Sequence, residues 1–572
     1  MRIFDAWKQD HFASYSESTA FEIFASELAL RAYGLGLDEV EAGIVAGGQD
    51  GGIDSVYAFF DDSVLDEDSE IVSDASRPSD FGQGRPLELW VIQAKRTPAF
   101  EEVALDRLEA TIRRLLDLSQ SVESLSPLYN DSLLARINVF RLAWAKLLTR
   151  RPRLSVGVVY ATPGDSRGVT PQFEAKLHAL EQTIRGAMPD MTMVSVRLLG
   201  DNELLNRYNE RPSYTLTMQY QESTTSGQSH VALVKLADYY DLMVDENSRL
   251  RRHLFEWNVR DYQGNVTVNQ EIRRTLQKDD SPEFWWLNNG VTILCSEATS
   301  AGKTYSLSNI QIVNGLQTSH TIYDVLKSDP ETEARDRMLL VRIIVTGDAA
   351  TRDQVIRATN RQTAVTDASL RATDEVQRNI ENYFLTKGWY YDRRKNFYKN
   401  EGKDPSKIVG IPLLGAALTA MGLSRPDKAR GKPSSLLKND DDYKLVFTAS
   451  LDLEVYFWVA TMQRRVDSFL YSDIADATTP QKNNLKFHLS MLAVEGLVGI
   501  PVRSPHQLQK FARDGDTVDD ADLKAIFDNL VHWATEYLNS ENTTLEKAAK
   551  SQRFTDYLLN RAEHARKPVA QS

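Results

Sequence analysis

Three polar side chains beside two apolar stretches have the chemistry needed for metal-dependent phosphodiester hydrolysis. Asp54 ends the sequence GGID at 51–54, and Gln93 and Lys95 lie near the end of the apolar stretch LELWVIQAKR at 87–96. If this stretch is a strand, Gln93 and Lys95 point to the same face, because alternate residues share a face. Burying an amide and an ammonium group without partners is unfavourable. We therefore predict that these residues form a nuclease site.

Each member of this site has a predicted role. Hydrolysis requires a positioned water and neutralisation of the phosphate charge, which oxygen ligands around Mg²⁺ or Mn²⁺ help to supply. Asp54 is the predicted anionic ligand, the Gln93 carbonyl a neutral ligand, and Lys95 faces the scissile phosphate. Glu22, on a preceding helix, is a further catalytic residue and metal ligand, and Glu27 is the alternative for that position.

The order of these motifs resembles the Mrr-like branch of the PD-(D/E)XK nucleases. The resemblance rests on Phe21-Glu22, then Asp50-Gly51-Gly52-Ile53-Asp54, then Ile92-Gln93-Ala94-Lys95-Arg96. That branch often has Gln where the superfamily name has Asp or Glu. The resemblance implies Mg²⁺-dependent DNA cleavage and a restriction-endonuclease-like mixed sheet flanked by helices. Unlike that pattern, an acidic segment at 61–80 separates Asp54 from Gln93, and we expect it to form an exposed, disordered excursion.

Local patterns predict the elements that position this site. Residues 17–34 have the apolar spacing of an amphipathic helix, and Gly34 is a suitable C-cap. The β-branched stretch 153–162 is typical of a strand, as is 191–199. The intervening stretches 100–120, 133–149 and 171–188 favour helices. This alternation predicts an α/β layer structure that closes near residue 210.

Clusters rich in Asn, Gln and Thr follow in the stretch 212–400. The sequences LFEWNVRDY, VNQEI, FWWLNNGVTI, IVNGLQT and ATNRQTAVTDASLRATDEVQ resemble the AIPR family, named for abortive infection and phage resistance. The resemblance implies a context of phage defence and identifies no catalytic residue. Such side chains can bond to phosphates or base edges while aromatics stack, although Asn-Gly pairs are also typical of hairpin turns. We expect a converging nucleic-acid-binding set: Asn289, Asn314, Gln317, Asn360, Gln362, Arg393 and Arg394.

Composition excludes several classes of protein. The 572 residues carry a net charge of −13, which disfavours binding of nucleic acid driven by charge alone. The single cysteine, Cys295, excludes an internal disulfide and a multi-cysteine zinc site. No apolar run is long enough to cross a bilayer, and no signal peptide is evident, so we expect a cytoplasmic protein. The stretch AGKT at 301–304 lacks the first glycine of a P-loop, which Glu297 replaces, and a hairpin turn is predicted there.

Together these features predict an α/β (α+β) multidomain protein. Its parts are a Mrr-like nuclease domain at 1–211, an AIPR-like α+β domain at 212–400 and a mainly helical region at 401–572, in which 424–438 is a basic, mobile loop. We expect a homodimeric defence endonuclease that cleaves double-stranded phage DNA, with the AIPR-like domain sensing a phage-derived trigger or positioning the target. The alternatives are a non-catalytic nucleic-acid-binding sensor and an RNA-cleaving abortive-infection toxin.

Overall fold

The first part of the chain forms a five-stranded mixed sheet. The structure, a computed structural model, describes residues 2–61, 63–209, 215–227, 229–246, 248–255, 267–277, 282–360, 374–393, 396–400, 402–431 and 439–566. The strand order is β2-β1-β3-β4-β5; β1 is antiparallel to both neighbours, whereas β3, β4 and β5 are parallel. The strands are β1 (Ser55–Phe60), β2 (Ser63–Val64), β3 (Pro86–Ala94), β4 (Arg153–Ala161) and β5 (Met193–Leu199).

Helices cover both faces of this sheet. They are α1 (Arg2–His11), α2 (Glu17–Ala29), α3 (Leu37–Ala42), α4 (Glu102–Leu115), α5 (Asp131–Leu147), α6 (Pro171–Ala187) and α7 (Asp201–Asn209). One core joins the sheet to α4, α5 and α6, and a second core joins the opposite face to α1, α2 and α7. Because successive strand residues alternate between these cores, both faces of β3 are apolar, as its sequence predicts.

The acidic segment between β2 and β3 is only partly the exposed excursion that was predicted: residues 73–75 and 77–80 are exposed, whereas its first half packs against the protein. Leu65 and Ile71 are buried in the core beneath the sheet. Glu67 forms ion pairs with Arg430, at 3.3 Å, and with Lys550, both from the helical region. Burial acts to raise the pKa of the Glu67 carboxyl, but the two cations have a larger effect in the opposite direction, and its pKa falls to about 2. The segment thus connects two parts of the chain.

The middle of the chain is an α+β structure with two small sheets. One has the order β12-β9-β13-β8-β7 and the other β10-β11-β6. The strands β10 and β11 form the hairpin predicted for the AGKT stretch, with Gly302 at a φ of 61°. The elements are β6 (Thr215–Gln219), β7 (Glu222–Ser226), β8 (Ser229–Lys235), α8 (Leu236–Met243), α9 (Thr267–Gln277), α10 (Phe284–Leu287), β9 (Val291–Cys295), β10 (Glu297–Ala301), β11 (Thr304–Ser308), β12 (Gln311–Asn314), α11 (Leu316–Ser328), β13 (Met338–Val345) and α12 (Ala349–Asn360).

The rest of the chain is mainly helical, as predicted, and its core begins before residue 401. That core includes Ile380, Phe384 and Tyr391 together with residues as distant as Leu558. The predicted loop at 424–438 contains a helix, and 432–438 lie outside the described residues. The elements are α13 (Glu375–Thr386), β14 (Tyr390–Asp392), α14 (Phe397–Asn400), β15 (Ile408–Gly410), α15 (Ile411–Leu423), α16 (Pro426–Gly431), α17 (Asp440–Val446), α18 (Leu453–Leu470), α19 (Thr479–Val498), α20 (Gln509–Asp514), α21 (Asp520–Glu541), α22 (Leu545–Ala549) and α23 (Gln552–Arg566). Across the described ranges, no helix combines the length and apolarity needed to span a bilayer.

A buried ionic network joins the N-terminal part to α18. The Tyr15 hydroxyl donates to Glu41 at 2.9 Å, and Arg464 pairs with Asp38 at 2.9 Å and with Asp467 at 3.7 Å. Burial, reinforced by the charge of Asp467, raises the pKa of Glu41 to about 8. Glu41 is therefore held mainly in its neutral form at this contact at neutral pH.

The raised pKa of Glu41 predicts that stability falls as the pH rises. Because folded Glu41 binds its proton more tightly than the unfolded chain does, its contribution is complete below the ordinary pKa of about 4.5 and lost as the pH passes about 8. The melting temperature should decrease over this interval, and Glu41→Gln should flatten the decrease. Glu222→Gln, on exposed β7, should leave the slope unchanged. Equal slopes in all three proteins, measured by thermal denaturation, would contradict this assignment.

Candidate active site

The pairing of β1 with β3 places Asp54 beside Gln93. Ser55 pairs with Ile92 in the antiparallel register, so Asp54 lies opposite Gln93, one step beyond. The Asp54 N–H donates to the Ile92 carbonyl at 2.9 Å, and the Ala94 N–H donates to Asp54 Oδ2 at 2.7 Å. Opposed residues of an antiparallel pair project to the same face. The two side chains are therefore neighbours although 39 positions separate them in the sequence.

Asp54 is a buried carboxylate with a perturbed pKa. Burial raises the pKa of Asp54 to about 6, although the charge of Lys95 and the hydrogen bond from Ala94 both lower it. The charge of Asp50 adds to the increase. A carboxylate in this position gains from a cation that compensates its desolvation.

Gln93 has a buried oxygen without a partner. The residue is 1% exposed, and its Oε1 accepts no hydrogen bond from the described residues. Most buried polar atoms in proteins are hydrogen-bonded, so such an atom calls for an explanation. A side-chain carbonyl oxygen next to a carboxylate is a suitable ligand for a hard divalent cation.

Glu22 reaches the same end of the sheet from α2. It is buried, and the Ser18 hydroxyl donates to its Oε1 at 2.9 Å. Burial first, and then the neighbouring charge of Asp54, raise the pKa of Glu22 to about 7. Glu27, the alternative for this role, is instead paired with Lys399 at 3.1 Å. The second carboxylate of the site is thus Glu22.

Lys95 follows directly after β3. Its N–H donates to the Ala161 carbonyl at 2.9 Å, which continues the pairing of β3 with β4. The side chain is half-buried, and within the described part of the chain it forms no ion pair within 4 Å. Its charge nevertheless lowers the pKa of both Asp54 and Glu22. Lys95 therefore places an available ammonium group beside the two carboxylates.

A second lysine near this site comes from the helical region. Lys482, in the first turn of α19, lowers the pKa of Glu22, and its ammonium lies 5.3 Å from the centre of the Tyr471 ring. Burial lowers the pKa of Lys482 itself. The same turn contacts the segment that precedes GGID, because Thr479 donates to the Ala46 carbonyl and Asn483 to that of residue 44 at 3.2 Å. Lys482 lies more than 450 positions from Glu22, and no local sequence motif indicates it.

The donor set fits a divalent cation bound by few protein ligands. Asp54 and Glu22 supply carboxylate oxygens, and Gln93 supplies an unpartnered carbonyl oxygen. Over the described ranges, no group of three or more His, Cys, Asp or Glu side chains is arranged to hold a metal ion. A site with two carboxylates and an amide suits Mg²⁺, which retains several waters in most proteins.

The predicted residues of the middle region lie elsewhere. Asn289, Asn314 and Gln317 line a cavity of about 430 Å³, together with Asn288 and Thr318. The Asn288 amide donates to Thr318 at 3.2 Å, and its carbonyl oxygen accepts the Gly290 N–H at 2.9 Å. The Asn288 amide thus shapes a turn as well as lining the cavity. Neither Asn-Gly pair forms a hairpin turn, which was the alternative interpretation of these pairs, because one leads into β9 and the other into α11.

Of the other predicted binding residues, the structure describes the side chain of Arg393 alone. Asn360 is the last residue of α12, and Gln362 and Arg394 lie outside the described residues. Arg393 is buried, and its guanidinium pairs with Glu381 at 2.6 Å. This guanidinium is engaged within the protein, so it does not present a free cation to a phosphate.

One comparison with known proteins finds a similarity, and it lies in the middle and later part of the chain. No curated protein matches the sequence, and no solved structure matches the fold. Residues 255–485 match the family model described as AIPR protein. This match begins before α9, ends in the second turn of α19 and includes Lys482. Residues 255–485, the AIPR region, are therefore similar to this family.

Proposed function

We propose that the protein is a phage-defence endonuclease that hydrolyses phosphodiester bonds of DNA at the site formed by Asp54, Gln93, Lys95 and Glu22. The observation that carries the proposal is the unpartnered, buried Oε1 of Gln93 beside the Asp54 carboxylate. A carboxylate and a carbonyl oxygen held on adjacent strands provide preorganised ligands for Mg²⁺ or Mn²⁺. The AIPR region supports the context of phage defence.

The side chains of this site would divide the work of hydrolysis. When bound, the metal would supply charge neutralisation at the phosphate and assist a water as nucleophile. Asp54, Glu22 and Gln93 would hold it, and Ala94 fixes the orientation of Asp54 through its N–H. Lys95 would contact a non-bridging oxygen of the scissile phosphate and stabilise the charge that develops there.

The AIPR region would govern access to this site or its geometry. Two of its segments contact α2 or its N-cap: Lys399 pairs with Glu27, and the Tyr471 carbonyl accepts the N–H of Ser16, the N-cap of α2. A change in this region would therefore move the helix that carries Glu22. Since each chain has one such site, cleavage of both DNA strands favours a homodimer.

Substitution of Gln93 tests whether its oxygen serves a ligand. Gln93→Met retains the volume and removes an unpartnered polar atom, so the free energy of unfolding should stay constant or rise by about 1 kcal/mol. Mn²⁺ affinity, measured by calorimetry, should fall at least tenfold. In the control, Gln463→Met, a fully buried amide loses its bonds to Asp467 and Ser490, and the protein should lose about 1–3 kcal/mol. Unchanged Mn²⁺ affinity in Gln93→Met would exclude Gln93 as a ligand.

Substitution of Lys95 tests catalysis itself. Purified protein should nick or linearise plasmid DNA with Mg²⁺ and not with EDTA, and Lys95→Ala should reduce the rate about 100-fold or more. Lys444→Ala removes an exposed lysine of α17 and should cleave normally. Full activity of Lys95→Ala would refute the mechanism. Cleavage of RNA but not of DNA would instead identify an RNA-cleaving toxin, and metal-independent DNA binding without cleavage would identify a sensor.

A further inference from the structure

Helix α4 lies directly against the turn that precedes Asp54. Gly51 and Gly52 have φ values of 65° and 83°, in the left-handed region that favours glycine. A Cβ atom on Gly52 would lie 2.8 Å from Cδ of Arg107, and one on Gly51 would lie 2.6 Å from the Thr111 side chain. The Thr111 hydroxyl also donates to the Gly51 carbonyl at 2.8 Å. The two glycines thus allow α4 to contact the GGID turn.

Arg107 is the residue of α4 that presents a charge at this contact. Its stem packs on Gly52, the side chain is exposed, and the described residues provide it with no hydrogen bond or ion pair. Because Gly52 is two positions before Asp54, the aliphatic part of Arg107 lies against the turn that leads into the candidate site. An arginine whose aliphatic carbons pack on the protein can direct its exposed guanidinium towards a ligand.

The acidic residues of α4 are neutralised by other cations. Lys176 pairs with Asp106 at 2.6 Å and with Glu102 at 3.6 Å. Glu109 pairs with Arg113 at 2.7 Å. These contacts leave the charge of Arg107 uncompensated by the helix that carries it, in a protein whose net charge is −13.

We propose that Arg107 is a substrate-binding residue that holds a backbone phosphate of DNA next to the phosphate that is cleaved. This inference rests on the proposed cleavage of DNA and adds a contact outside the motif residues. The planar guanidinium can donate two parallel hydrogen bonds to a phosphate. Lys95 at the end of β3 and Arg107 on α4 would then bind neighbouring phosphates of one DNA strand on either side of Asp54.

The experiment measures DNA binding without cleavage. In an Asp54→Asn background, the affinity for a fluorescein-labelled 30-base-pair duplex is followed by anisotropy over a series of NaCl concentrations. Arg107→Met retains the apolar stem over Gly52 and removes the charge. It should weaken binding about tenfold, and the slope of log K against log [NaCl] should become shallower by about 0.9, the value for one lost phosphate contact.

Two further variants make the test specific. Arg107→Lys keeps the charge and should retain the salt slope while losing part of the affinity, since a point charge replaces a bidentate contact. Arg113→Ala removes an exposed arginine of the same helix that is already paired with Glu109, and it should bind DNA as the parent does. Circular dichroism and melting temperatures verify that each variant is folded.

The outcomes separate this inference from the proposed function. If Arg107→Met and Arg113→Ala bind DNA equally well, Arg107 is not a phosphate contact, whether or not the unmodified protein cleaves DNA. A loss of affinity in Arg107→Met with an unchanged salt slope, or a loss seen only with duplex RNA, also overturns it. If the unmodified protein binds DNA through Arg107 and cleaves nothing, the phosphate contact stands and the nuclease proposal fails.

Discussion

The antiparallel pairing of β1 with β3 is the constraint on which the candidate site depends. Ser55 lies opposite Ile92, and this register alone determines that Asp54 and Gln93 are neighbours. A slip of one residue would turn Gln93 towards the core formed by α1 and α2 and bring Ile92 to the position beside Asp54. The parallel pairing of β3 with β4 extends the same order to Lys95, whose N–H bonds to Ala161. The apolar residues on both faces of β3 help to fix this register, because a slip of one residue would exchange the side chains that face the two cores.

Burial of the polar groups of this site is unfavourable, and cations from other parts of the chain offset part of the unfavourable free energy. Two carboxylates and an amide oxygen are buried at one end of the sheet, and burial raises the pKa of Glu22 to about 7 and that of Asp54 to about 6. Lys95 offsets part of this desolvation, and Lys482 acts on Glu22 from the other part of the chain. The helical region therefore does more than cover an apolar surface: it contributes charge to the environment of Glu22 and anchors α2 through Ser16. An isolated N-terminal sheet would lack both.

The sequence allowed the local part of this arrangement to be predicted and left the distant part hidden. Short-range patterns predict the strand in 87–96 and a helix over 17–34, and the structure contains both, although α2 ends at Ala29 and Gly34 instead caps a separate 3-10 turn. The mixed sheet, which the nuclease resemblance implied, is also present. Contacts across the chain leave no such pattern. Lys482 lies in a largely buried helix and Arg107 in an amphipathic one, and neither is part of a recognisable motif. Arg393 belongs to a basic cluster that resembles a binding patch but is buried against Glu381. The packing of the acidic segment was not predicted for a similar reason, because its cationic partners Arg430 and Lys550 are distant in the sequence.

The distribution of charge determines how DNA could reach this site. The net charge of −13 gives DNA no general attraction to the protein, and its effect is largely screened beyond the Debye length, which is about 8 Å at physiological ionic strength. Any attraction must therefore come from cations that act at contact range. Lys95 at a strand end and Lys482 on α19 act on the buried carboxylates, and Arg107 on α4 packs on the turn before Asp54. Each of these cations is supplied by a different element. Affinity confined to so small a region depends on the relative positions of all three elements. Since α19 is packed against the segment before GGID, displacement of the helical region would change both the charge at Glu22 and the position of the GGID turn against α4.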